Sequence, residues 1–367
     1  MDTFYRYPVE TLQAVSQDIL RAAGSPPLEA ELVATRLLKA NLTAHDSHGI
    51  IRLHQYMDHL RAGMIKPGQK ADFARDNGST ALLDGNRGFG QTIANEAMKV
   101  AIARAREHNV AAVGVTNLHH VGRLADYVLL AARENLIGLM FTSTGGFSQL
   151  VTPFGGNQRR MSTNPFAAAF PSDRAEPVVM DFASSAYAEG KFKVMRDAKG
   201  QMPPNVLLDK DGRPSTDPND LYAGGAIRPL GGDQGYKGYL LNFLMEVLGG
   251  ILTAGGHMGK EAQPRFNNCS LMIVLNVAAW RDVPGFKAEL NSLIAYLKAV
   301  RGAPGEEVLY PGEKEARMEK QRRAEGIPLA AATVEGLQFE LDHFKLGGNL
   351  AAQGRAMSGD AWNTRAS

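Results

Sequence analysis

The chain has 367 residues, 44% apolar and 21% charged, enough for one large domain or two moderate ones around a sizeable core. A formal charge of only +2 argues against the basic footprint of a nucleic-acid binder. The single cysteine, Cys269, rules out an intrachain disulfide framework and points to a reducing, cytoplasmic setting; its apolar context, SLMIVLNV, marks it as a small core residue.

The N-terminus, MDTFYRYPVE, has no basic region followed by an apolar run, so no signal peptide is expected. Helical spacing of Leu12, Val15, Ile19 and Leu20 predicts a helix over 9–23, capped by Gly24. Ser25-Pro26-Pro27 opens a second helix, with Leu32, Val33, Leu37 and Leu38 inward, and a third covers 53–61, stopped by Gly63. The pattern then alternates. A strand is expected at 80–83, an alanine-rich helix at 91–108, a buried strand at 110–115, a helix at 123–135 and a strand at 137–142. This alternation argues for an α/β sheet covered by helices. Further strands are expected at 166–170 and 178–182. Residues 201–236 are rich in Pro, Gly, Asp and Asn and read as a long functional loop. A buried helix follows over 239–252, then a strand at 271–277 and an amphipathic helix at 285–300. From Glu313 onward the chain reads as helical and more polar; the mixed charges of KEARMEKQRR (314–323) mark a solvated helix face. The longest apolar stretch, 239–254, is broken by Asn242, Glu246, Gly249 and Gly250, so no membrane span is expected.

Two histidine motifs stand out. His45-Asp46-Ser47-His48-Gly49 with Arg52 lies between the second and third helices, and Asn117-Leu118-His119-His120-Val121-Gly122-Arg123 follows a buried strand. Reduction of a 2-oxo acid needs a proton donor and a carboxylate clamp. Histidine titrates near working pH, and arginine binds carboxylate bidentately. The end of a strand is where α/β enzymes place their chemistry, which favours a functional histidine there; the residues alone leave the choice between His119 and His120 open. His45, Asp46 and His48, with His54 and Asp58 nearby, raise the possibility of a metal site. The spacing is not HExxH and no thiol cluster exists, so no metal is expected. Capping of the third helix by Asp46 or Ser47 is the structural alternative.

The loop Gly85-Asn86-Arg87-Gly88-Phe89-Gly90 has GxxGxG spacing rather than GxGxxG, and a tight turn before a helix is the simpler reading. Ser162-Thr163-Asn164-Pro165 and Asp181-Phe182-Ala183-Ser184-Ser185 can bind a cofactor or simply make turns. Lys237 opens the buried helix against the macrodipole, so another interaction is expected to hold it.

Taken together and in order, DSHGIIR, GFGQ, HHVGR, STNPF, DFASS, GYKGY, NNC and YPGE make the chain resemble the type-2 malate/L-lactate dehydrogenase family over residues 8–330. That family includes sulfolactate, ureidoglycolate and diketogulonate oxidoreductases and cyclic imino acid reductases. HHVGR and RAEGIPL are most similar to its hydroxycarboxylate dehydrogenase B branch. The resemblance implies a non-Rossmann α/β fold with a three-layer α/β/α core. Its expected parts are an N-terminal helical subdomain (1–75), a cofactor- and substrate-binding domain (76–312) and a C-terminal helical segment (313–367) packing back on the N-terminal part. It implies NAD or NADP as cofactor, a small carboxylate as substrate and a cytoplasmic homodimer with no nucleic-acid or membrane partner. By motif match His120 is the acid/base, and Ser47, His48 and Arg52 line the substrate and nicotinamide pocket. Gly122, Arg123, Leu124, Met180, Asp181, Phe182, Ala183, Lys237, Asn268, Gly312, Glu313, Lys314 and Glu315 complete the cofactor site. The expected activity is hydride transfer between nicotinamide and a 2-hydroxy or 2-oxo carboxylate. The alternatives are reduction of cyclic imino acids, such as Δ1-piperideine-2-carboxylate or pyrroline-2-carboxylate, and metal-dependent hydrolysis on His45, Asp46 and His48.

Overall fold

In the computed structural model, which describes residues 4–175, 178–197, 199–259 and 267–357, the chain opens with a short strand and three helices. These are β1 (Phe4–Tyr7), α1 (Val9–Ala22), α2 (Pro27–Leu42) and α3 (Ile51–Arg61). Helix α1 buries Leu12, Ser16, Ile19 and Leu20, one stripe of a 3.6-residue period. Helix α2 starts on Pro27, whose fixed φ and missing N–H suit a first turn.

The middle of the chain follows as β2 (Asp72–Asn77), β3 (Thr80–Asp84), α4 (Gly90–His108), β4 (Val110–Leu118), α5 (Ala125–Arg133), β5 (Leu136–Ser143), β6 (Pro165–Phe170) and β7 (Val178–Ala183). Then come α6 (Glu189–Asp197), β8 (Leu207–Leu208), β9 (Pro214–Ser215), α7 (Asn219–Tyr222), β10 (Ala226–Ile227), α8 (Tyr236–Met245), β11 (Asn268–Asn276) and α9 (Val283–Lys298). The chain ends in α10 (Glu313–Glu325), β12 (Ile327–Ala330), α11 (Ala331–His343), α12 (Leu350–Gln353) and β13 (Arg355–Met357). The expected helical C-terminal segment thus also contains strands, and its residues 358–367 lie outside the described ones.

The described residues form two compact units, 4–69 with 312–357, and those within 70–311. In the first, β1 pairs antiparallel with β12 on one side and β13 on the other. Helices α10 and α11 pack on α2 and α3. In the second, seven strands run in the order β2-β3-β4-β11-β5-β6-β7, with β3/β4 the single parallel pair. Helices α4 and α5 cover one face, burying Ile93, Met98, Tyr127 and Val128 against Val113, Val115 and Met272. Helix α8 and the π-helical turn Glu246–Ile251 that prolongs it cover the other, with Met245 on Phe141 and Leu271. This is the expected helix–sheet–helix layering.

Two expectations need correction. Residues 201–236 are not simply a loop. They carry β8, β9 and β10 as a small sheet, over a core that includes Phe192, Met202, Leu207, Leu221 and Ile227. Proline and glycine shorten these strands to two residues, but the apolar side chains between them still collapse together. The helix over 239–252 is not buried all round either. Leu240, Phe243 and Leu252 are 59%, 57% and 61% exposed. Its apolar composition covers the sheet on one side and leaves an apolar stripe on the other.

Candidate active site

Strand register gathers the polar motifs of the second unit at one end of the sheet. Asp84, at the end of β3, lies opposite Thr116 of β4, and Leu118 lies opposite Asn268 at the start of β11. Cys269 then faces Ser143, where β5 ends. Phe141 faces Phe166 near the start of β6, and Pro165 faces Ala183 at the end of β7. HHVGR, NNC, STNPF, DFASS and the glycine loop therefore share one edge. The same edge is lined below by a buried polar network. Asn164 Nδ2 donates to Asn242 Oδ1 (2.8 Å) and Glu246 Oε2 (2.7 Å), and Ser143 Oγ donates to Glu246 Oε2 (2.9 Å). Helix α8 passes Asn164 at Asn242, and the π-helical turn that prolongs it passes Ser143 at Glu246. The first turn of α8 packs Gly238 against the Leu230 backbone, whose N–H donates to Ser184 O (3.0 Å) just past β7. Lys237 is exposed, with its ammonium 5.8 Å from the Tyr236 ring centroid.

His119 is buried and His120 half-buried just past β4, so His120 is the more accessible of the pair. The glycine loop is packed directly against them. A Cβ on Gly90 would stand 2.3 Å from the carbonyl oxygens of both His119 and His120, and Gly88 O accepts from His119 N (3.1 Å). These glycines permit a close backbone approach rather than forming a dinucleotide fingerprint. Gly122 turns the chain at φ 73°, and Leu124 is buried. Arg123 is buried in an ion pair with Asp126 (Nε to Oδ1 3.2 Å). Asp181 Oδ2 accepts from Ala125 N (2.8 Å) at the start of α5, which ties the HHVGR loop to β7. Met180, Asp181 and Ala183 are half-buried on this edge strand. Phe182 is exposed, edge-on to Phe166. Pro311 O accepts from Val179 N (3.2 Å) on the same strand. Asn268 is buried, and its Oδ1 accepts from Val121 N (3.0 Å).

In the first unit, Asp46–His48 form a single 3-10 turn ahead of α3. Ser47 Oγ lies 3.0 Å from His48 Nδ1. Arg52 Nε donates to Ser47 O (2.7 Å) and its Nη1 to Gln55 Oε1 (2.8 Å). Ser47, His48 and Arg52 are all half-buried and come together on this turn. Neither Asp46 nor Ser47 caps α3, contrary to the structural alternative. Asp46 instead takes a two-pronged bond from Arg322 of α10 (2.7 and 3.1 Å) and a third from Asn41 Nδ2 (2.6 Å). Asn41 Oδ1 also accepts from Ile50 N (2.8 Å), and a Cβ on Gly49 would collide with the Asn41 amide. Gly312 starts α10 at φ 93°. Glu313 is buried and takes a bond from Arg317 (2.6 Å), and Lys314 and Glu315 are half-buried.

His45, Asp46 and His48 do not make a metal-ligand cluster among the described residues. Among the described residues the one group of suitable side chains within reach of each other is His54, Asp58 and Glu340, and Arg61 already neutralises Glu340 there. Cys269 is a buried β11 residue whose thiol is pushed up to about 12, first by burial and then by the Glu246 charge. Reasoning from sequence overlooked Arg322, Asn41 and Asn267. Only Asn267 left a trace, as the first Asn of NNC. Arg322, read with 314–323 as part of a solvated helix face, is instead buried; it sits 276 residues from Asp46, and no local pattern connects them.

The sequence pattern of the malate/L-lactate dehydrogenase family matches residues 7–338. The chain is 33% identical to hydroxycarboxylate dehydrogenase B of Escherichia coli K12 over 344 residues, 92% of this chain and 94% of that one. It is 36% identical to L-sulfolactate dehydrogenase of Methanothermobacter thermautotrophicus, again over 344 residues, covering 91% and 96%. Its fold matches the crystal structure of malate dehydrogenase from Entamoeba histolytica with a TM-score of 0.88, at 29% identity over 94% of this chain and 99% of that one. The chain belongs to the malate/L-lactate dehydrogenase family of oxidoreductases.

Proposed function

We propose that the protein is an NAD(P)-dependent oxidoreductase acting on a small 2-hydroxy or 2-oxo carboxylate. The observation that carries this reading is the half-buried His120 at the end of β4, beside a buried His119, on the edge where the polar motifs collect. The names of the relatives support the substrate class, since they act on hydroxycarboxylates, malate or sulfolactate. The residues present fit a dinucleotide. Edge strand β7 leaves Met180 to Ala183 partly open, Lys237 is an exposed cation in the first turn of α8, and Gly122 turns the chain in a left-handed conformation. A helix start with a lysine suits a pyrophosphate. In this reading Gly122, Arg123 and Leu124 contribute mainly backbone, since the last two side chains are buried. Gly312, Glu313, Lys314 and Glu315 complete the cofactor contacts.

A nicotinamide held by these residues would supply or accept the hydride. His120 gives the proton to the nascent alkoxide in reduction and takes it back in oxidation. Arg52, with Ser47 and His48 on the same turn, pairs with the substrate carboxylate. Orientation and electrostatics provide most of the rate. Among the described residues no helix is long and apolar enough to cross a membrane, and a cytoplasmic setting is part of the proposal. So is a homodimer, supported by the apolar stripe of Leu240, Phe243, Leu244, Ile251 and Leu252.

The test is absorbance at the reduced-nicotinamide band, with NADH and NADPH each offered against a panel of 2-oxo acids and cyclic imino acids. Turnover of a 2-oxo acid is the expected result. Turnover of imino acids alone would move the chain to the reductase alternative. No turnover, with no binding of either nucleotide, would end the proposal.

A further inference from the structure

The segment carrying His120 is held in an unusual way. Strands β4 and β11 pair regularly down to Val115 and Ser270, but the next partners are Leu118 and Asn268. Thr116 and Asn117 therefore oppose Cys269 alone. This is a β-bulge, and Asn117 takes φ 57° within it. Past a bulge the regular ladder no longer satisfies the strand's N–H groups, and buried ones need other acceptors. Asn267 Oδ1 accepts from Asn117 N (2.9 Å), Gly88 O from His119 N (3.1 Å) and Asn268 Oδ1 from Val121 N (3.0 Å). Two neighbouring carboxamides thus take the N–H groups at both ends of the five-residue segment. Their own amino groups reach back to the protein: Asn267 Nδ2 to Gly255 O (3.2 Å), and Asn268 Nδ2 towards Ser143 O (3.5 Å).

We infer that Asn267 and Asn268 are positioning residues for His120, and that Asn268 acts on turnover through that histidine rather than as a ligand of the cofactor. The inference rests on the proposed function, in which His120 is the proton donor. Both ends of the Asn268 amide are engaged inside the protein, and it is 3% exposed. Its Oδ1 keeps the backbone on the far side of His120 in place, while Asn267 fixes the near side. Release of either end lets the imidazole drift from the reacting oxygen. A misplacement of about 1 Å costs on the order of a hundredfold in rate.

The experiment compares N267A, N268A, N268D, H120N and the double variant H120N/N268A, all in the full chain. It reads kcat, KM, the pH profile of kcat and the Kd of the reduced nucleotide by fluorescence. N268A should lower kcat by about ten- to a hundredfold, with the nucleotide Kd nearly unchanged. N268D retains the acceptor for Val121 N but sets a carboxylate oxygen where Nδ2 faced Ser143 O, and should recover part of that loss. Its added negative charge favours the imidazolium and should shift the histidine limb of the pH profile upward. N267A, at a half-buried position, should repeat the pattern more weakly, and it carries the test if N268A does not fold. In the H120N background N268A should add little. A raised Kd with kcat intact in N268A would make Asn268 a direct cofactor ligand and overturn the inference. So would a full N268A loss on top of an impaired H120N. Parental turnover in H120N would instead sink the functional reading itself, and the inference with it.

Discussion

The two histidine motifs are held by opposite means. The turn carrying Ser47, His48 and Arg52 hangs on ions: Arg322 grips Asp46 with both Nη atoms, and Lys39 and Arg323 close on Glu319 one turn away on the same α10. The backbone N–H groups of the segment carrying His120 hang on neutral acceptors, two asparagine oxygens and one glycine carbonyl, while Asp84 bonds the Asn117 side chain. Ion pairs reach across distant parts of the sequence but answer to pH and salt. Neutral amides do not titrate and keep their geometry over a wide range. The two motifs thus rest on one adjustable support and one fixed support.

The largest expected effect sharpens the fixed side. His120→Ala should lower kcat by roughly two to four orders of magnitude while nucleotide binding changes little. If His119→Ala is the damaging change instead, the assignment is off by one residue and the burial of His119 has a different meaning. On the adjustable side, Arg52→Leu should remove a charge-assisted pair with the substrate carboxylate, worth on the order of 2–5 kcal/mol in kcat/KM. Arg52→Lys should restore only part of it, because the ammonium lacks the planar fork that can bond the carboxylate while Nε stays on Ser47 O. Equal efficiency in the parent and Arg52→Leu would take Arg52 out of the site.

What the sequence made readable follows the same division between local and distant. Helices α1 and α4 and strand β4 announce themselves through apolar spacing and end signals. The step from VAAVGV to HHVGR therefore placed the second motif at a strand end correctly. Strand β1 did not announce itself. Its four residues, FYRY, become a strand by pairing with Ile327–Ala330, more than 300 residues away, and no local periodicity encodes that. The bulge at Asn117 was equally silent, since it exists only through the register with β11. Helix α8 was readable as apolar but not as half-exposed, because composition records what can be buried and not what covers it. On the first motif, Asp46 looked like a helix cap because Asp so often is one. The two-pronged Arg322 competed for it and prevailed.

Replacing Arg322 tests the ionic support directly. Arg322→Met leaves the Asp46 carboxylate, 22% exposed, with Asn41 alone. The loss should be about 1–3 kcal/mol in stability. KM for the carboxylate should rise as the 46–52 turn loosens, and kcat should fall less. Arg322→Lys should recover part of the stability but little of the KM, since one ammonium cannot bond both carboxylate oxygens and Asn41 O together. A Met variant with parental KM would show that the turn holds its shape without the ion pair.

Acid should separate the two supports. Burial pushes the Glu319 carboxyl up, but the bonds and charges of Lys39 and Arg323 outweigh it and hold the group below its ordinary 4.5. A carboxylate with a depressed folded value adds stability above its unfolded value and loses it as pH falls through the folded one. The window therefore opens near 4.5 and extends below it. Hydrogen exchange from pH 6 down to pH 3 should show residues 39–50 and 313–323 losing protection first, while the 117–121 amides stay protected. Simultaneous loss in both segments would break the contrast.

The smallest effect concerns the fixed support alone. Cys269 is the residue opposite the bulge, with its Sγ 3.5 Å from Ser143 O and no exposed surface. With the thiol pushed up to about 12 by burial and by Glu246, it holds almost no thiolate at pH 8. The thiolate is the species that reacts with disulfide reagents. The native protein should therefore resist an aromatic disulfide at pH 8 and react fully in denaturant. Any slow native reaction should track opening of β11 away from β4 and β5. Asn267→Ala and Asn268→Ala, which loosen the strand's first residues, should quicken it. Arg322→Met, whose effect belongs to the other unit, should not. If Arg322→Met quickened labelling as much as the asparagine variants, the two supports would not be independent.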